Sequence, residues 1–166
     1  MRQIILAILP MIALFLQSTF FSNYSIKGTV PDLVLVFVVF YALLNNGTKG
    51  VFYGLACGLL EDLYVGRFIG INALSKAIVA YTVNRLQGNV FRENVLVGVV
   101  TVIISSMLNW TVMLLISMAS FKVLNINLSI LTGLLNQICY NTILSVPLYI
   151  WYYNSNRRGL LRAAGD

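Results

Sequence analysis

Six apolar segments, at about 3–21, 31–45, 50–65, 68–83, 95–121 and 128–153, take up most of this chain, and only short polar stretches separate them. That segmentation constrains the fold more than any single motif. A backbone in lipid must satisfy its own hydrogen bonds, and near-continuous apolar runs of this kind do so as helices. Charged residues make up 10% of the chain against about 25% in soluble domains. The mean hydropathy is +0.86. The sequence therefore reads as an all-α polytopic membrane protein of six transmembrane helices, with residues 1–166 forming a single integral membrane domain.

Segment one begins at Arg2 and contains Pro10. It is too long for a signal-peptide core and no small-x-small cleavage pattern follows, so it reads as an uncleaved first span with a kink. Segment two opens with Thr29, Pro31 and Asp32, a capping-box-like start with proline set for the first turn. Its apolar run, Leu33 to Leu44, falls short of the roughly 20 residues of a straight span. Asn45-Asn46-Gly47 then signals a turn. Segment three is also short. The two could form a re-entrant hairpin, but that would bring Lys49 to mid-membrane at about 2.5–3.5 kcal/mol, so two short full spans are preferred. Trp151, Tyr152 and Tyr153 read as an aromatic belt at the membrane interface.

Segment three carries Gly50, Gly54 and Gly58, with Asp62 at the next step of four. Steps of four hold one face of a helix, so these residues form a helix-packing seam that ends in a carboxylate. Interhelical hydrogen bonding accounts for two further stripes: Thr101, Ser105 and Asn109 in segment five, and Gly133, Gln137, Asn141 and Ser145 in segment six.

With six spans, Arg2, Lys49, Arg85, Arg92, Arg157, Arg158 and Arg162 fall on one side. Lys27, Arg67 and Lys122 fall on the other, and Lys76 lies within the membrane. The positive-inside rule then places both termini in the cytoplasm. The net charge of +6 reports this orientation and contact with membrane lipid, and does not call for a nucleic-acid partner.

Histidine is absent, and the chain has no GxSxG, P-loop, HExxH or CxxC motif. Cys57 and Cys139 both lie in apolar segments and give no disulfide framework. Glu61 and Asp62 are neighbours and point about 100° apart on a helix, which is not an acid–base dyad. No catalytic, cofactor-binding or metal-ligating set emerges, and an enzyme is not expected.

The pattern Pro31-Asp32-Leu33, then Gly50-xxx-Gly54-xxx-Gly58-Leu59-xx-Asp62, then Gly70 and Leu74, resembles the bacterial rod shape-determining protein MreD family. The resemblance covers nearly the whole chain. It implies a non-enzymatic partner of MreC, a single-pass membrane protein, within a wall-elongation complex. That complex also holds the MreB filament, the RodA glycosyltransferase and a class-B penicillin-binding transpeptidase. The family fold is similar to the S-components of energy-coupling-factor vitamin transporters. A small-molecule-binding S-component is thus the alternative, but those proteins carry an Ala-xxx-Ala motif on the first helix. Here Ala7 and Ala13 are six apart.

Lys76 matches no family position. On a six-span scheme Asp62 and Lys76 both fall roughly 12 Å below the outer edge of the membrane, on consecutive antiparallel helices. A buried charge needs a partner, so Lys76 is expected to pair with Asp62 or, failing that, with Glu61.

Overall fold

The computed structural model describes residues 2–26, 28–45, 48–66, 69–86, 94–121 and 128–158. Among them are six α-helices: α1 (Arg2–Asn23), α2 (Leu33–Leu44), α3 (Lys49–Val65), α4 (Ile71–Leu86), α5 (Val95–Phe121) and α6 (Leu128–Arg158). Two of these, α1 and α5 over Val95–Ile116, are long and apolar enough to cross a membrane by length and composition. Lys27, Asn46, Gly47, Arg67, Arg92, Lys122 and Arg162 lie outside the described residues.

The shortest helix is the central one. α2 packs against all five others, and every residue from Leu33 to Leu43 is buried. A helix that is apolar all round can only be stable surrounded by other apolar surface. The other helices supply that surface, so α2 has no need of a span's full length on their account.

α3 and α4 form the tightest pair, and the glycine stripe is the reason. A methyl group placed on Gly54 would lie 2.7 Å from the Lys76 carbonyl oxygen and 3.1 Å from Ala80 Cβ. On Gly58 it would lie 2.6 Å from Ala73 Cα, and on Gly50 it would lie 2.7 Å from Asn84 Nδ2. Backbone meets backbone at Gly54 and Gly58, which only glycine allows. Ala73, Ala77 and Ala80, all buried, keep the facing side of α4 equally low. A glycine outside the stripe does the same for α5 and α6: Gly98 seats the buried Tyr149 ring, whose Cδ2 is 2.6 Å from where a Cβ would stand.

Three local expectations are revised. Asp32 itself is the N-cap of α2, its Oδ1 accepting from Leu35 N at 2.8 Å, and Pro31 stays outside the helix. Thr29 instead pairs with Ile26 across a tight turn. α4 starts at Ile71, later than position 68: Gly66 ends α3 and Gly70 precedes α4, both at positive φ that a helix does not take. The aromatic run near the end of α6 is split by helix geometry: Trp151 is exposed while Tyr152 is turned inward, 5.9 Å from the Phe40 ring. Successive residues on a helix point about 100° apart, so three in a row cannot all face the interface.

Candidate functional site, a buried polar node

Three of the chain's five acidic residues, Asp32, Glu61 and Asp62, are buried close to the equally buried Lys76. Lys76 Nζ lies 2.5 Å from Glu61 Oε2 and 3.1 Å from Asp32 Oδ2. One ammonium therefore ties α4 to α3 and to the N-terminus of α2. Burying an ion is costly in the absence of an opposite charge; here each ion has one within reach, and Lys76 and Asp32 are hydrogen-bonded as well. Asp32 also sits at the positive end of the α2 dipole, which offsets part of the surplus negative charge.

Asp62 is not a partner of Lys76. Its carboxylate accepts from Gly70 N (2.8 Å), Asn72 N (3.1 Å), Asn72 Nδ2 (2.9 Å) and Ala73 N (3.1 Å). It caps the first turn of α4 from the end of α3. The depth argument found the right level but chose the wrong neighbour. The short link between α3 and α4 delivers the free amides of the new helix directly to Asp62, and a carboxylate with four donors has no need of the lysine. Glu61, about 100° round the helix, is the acid left to face Lys76.

The node extends into the remaining helices through the backbone at the start of α2. Asn141 of α6 accepts from Asp32 N at 2.8 Å and donates to Ser106 Oγ of α5 at 3.0 Å. Gln17 of α1 accepts from Leu33 N at 3.2 Å. Ser75, beside Lys76, donates to Asn109 Oδ1 of α5 at 2.6 Å. The amides of the first turn of a helix have no intrahelical partner, and in a buried helix they must find one elsewhere. Gln17 of α1, Asn141 of α6 and the cap residue Asp32 itself provide it here.

The two expected stripes divide in this light. Asn109 and Asn141 reach other helices, as above. Thr101 and Ser145 donate to carbonyls of their own helices, at Val97 and Thr142. Ser105 is buried and Gln137 half-buried. Of the family-pattern positions, Pro31, Asp32 and Leu33 are buried at the node and Gly70 donates to Asp62, whereas Leu59 and Leu74 are exposed on the outer surface. Sequence reasoning missed Gln17, Asn72, Ser75 and Ser106 as node members. A usable signal was present for Ser75, which adjoins the one lysine inside an apolar segment.

The node's chemistry is that of a lock. Among the described residues no group of three His, Cys, Asp or Glu side chains is placed to hold a metal ion. What the arrangement does is join all six helices through charge-assisted and backbone-capping hydrogen bonds.

The family model described as rod shape-determining protein MreD matches residues 1–157 of the 166-residue chain. No curated protein and no solved structure matches significantly.

Proposed function

The chain belongs to the rod shape-determining protein MreD family, and on that premise we propose that it is a non-enzymatic membrane scaffold of the cell-wall elongation complex. The family gives a role in rod shape determination. In the finer reading, the chain docks MreC and helps couple cytoskeletal filaments to peptidoglycan synthesis. RodA and a class-B penicillin-binding transpeptidase are its further partners. The chain crosses the bacterial cytoplasmic membrane six times with both termini inside. The match across residues 1–157 is the observation that carries this reading. The seven-to-three bias of basic residues supports the orientation. A polar node that fixes six helices relative to one another suits a scaffold, whose task is to hold a surface of constant shape.

Depletion in a rod-shaped host tests it. Cells should become round. Cells that stay rod-shaped but lose uptake of a vitamin would replace the scaffold with the S-component reading.

A further inference from the structure

A cavity of about 230 Å³ opens between the start of α3 and the end of α4, lined by Thr48, Val51, Tyr81, Asn84 and Arg85. Four of its five lining side chains can donate a hydrogen bond, and none is acidic. Arg85 is held in place by its own helix: Nε and Nη2 donate to Tyr81 Oη at 3.1 and 2.9 Å, and Cζ stands 5.3 Å from the Tyr81 ring centroid. Among the described residues no carboxylate pairs with Arg85, since the buried acids sit at the opposite ends of α3 and α4. The hydroxyl of Thr48, the N-cap residue of α3, is not used for capping. A guanidinium fixed by a ring and a phenol, beside a hydroxyl and a carboxamide, suits a phosphate oxygen.

The surroundings indicate what carries that phosphate. The cavity lies at the end of the bundle where Arg2 of α1 bonds Asn45, and where the exposed Lys49 begins α3. From it, the outer faces of the two helices descend through exposed apolar residues: Phe52 and Leu55 on α3, Ile78 and Leu74 on α4. A cavity edged by hydrogen-bond donors and a guanidinium, above an apolar strip, has the layout of a lipid headgroup above its acyl chains. We propose that this cavity binds the phosphate headgroup of an anionic membrane lipid, with Arg85 as the principal contact.

The test uses the full chain in nanodiscs of phosphatidylcholine doped with phosphatidylglycerol, with retained lipid counted by native mass spectrometry. The wild type should retain phosphatidylglycerol preferentially. Arg85→Gln should lower that retention about tenfold, the factor expected for one charge-assisted hydrogen-bonded contact. Arg157→Gln, at the end of α6 and away from the cavity lining, should lower it by no more than about fivefold, the general effect of one basic residue near an anionic surface. Thr48→Val and Tyr81→Phe keep the charge and give a second reading if Arg85→Gln folds poorly; each should also reduce retention. Equal losses for Arg85→Gln and Arg157→Gln, or no preference in the wild type, would overturn the site. Displacement of the lipid by inorganic phosphate in the millimolar range would assign the cavity to a soluble phosphate and overturn the lipid assignment.

Discussion

Replacing Lys76 with methionine removes the one ammonium that Glu61 and Asp32 share, at 2.5 and 3.1 Å, and leaves two buried carboxylates facing each other's charge. Methionine keeps the volume, so the effect is electrostatic. Removing one partner of a buried pair destabilises by about 3–5 kcal/mol, because the remaining ion is uncompensated. Glu61→Gln is milder, about 1–3 kcal/mol, since Lys76 keeps Asp32. In the double variant only Asp32 is left charged, and it still accepts from Leu35 N at the α2 N-terminus. The double variant should therefore lose less than the sum of the singles, by roughly 1–3 kcal/mol. Unfolding by SDS titration in mixed micelles reads all four corners of the cycle. A parallel cycle on Lys76→Met and Asp62→Asn should show a markedly smaller coupling, because Asp62 spends its oxygens on α4 amides. Additivity within about 0.5 kcal/mol for the Glu61 cycle, or a larger coupling to Asp62, would refute the assignment of partners.

Gly58→Leu and Gly54→Leu should each destabilise by roughly 1–3 kcal/mol or more in the same titration, since the added atoms meet the α4 backbone; wild-type stability in both would dismiss the close contact. Asn141→Leu strands Asp32 N without its acceptor and should cost about 1–3 kcal/mol, whereas Gln137→Leu, about one turn away on the same helix, should cost clearly less; equal losses would contradict the capping role of Asn141. Reporter fusions at Gly47 and after Asp166 should read cytoplasmic and a fusion at Asn125 periplasmic; a periplasmic signal at Gly47 would defeat the six-span scheme.

The helical character of the chain was legible because long, near-continuous apolar runs announce themselves residue by residue. The glycine seam was legible for the same kind of reason: a spacing of four has one meaning on a helix. The partner of Lys76 was harder. Counting residues down each segment gives depth, and it brought Glu61, Asp62 and Lys76 to one level. It gives no azimuth and no order of helices. Asp32 was read only as part of a helix start, and nothing in its neighbourhood reveals that α2 is the central helix, with its N-terminus beside Lys76. Asp62 was misassigned because capping of α4 depends on the turn at Gly66 and Gly70, a backbone property visible only in three dimensions. The inward turn of Tyr152 likewise depends on where α6 meets Phe37 and Phe40, far away in sequence.

The account stands or falls on whether this chain docks MreC. The direct measurement is affinity capture of the tagged full chain from detergent-solubilised membranes of a host that expresses both proteins, with MreC quantified against an unrelated single-pass protein. The scaffold reading predicts that MreC is retained with the wild-type chain. It also predicts that retention falls with Lys76→Met in proportion to the loss of folded protein. A well-folded chain that retains no more MreC than the unrelated control would contradict it.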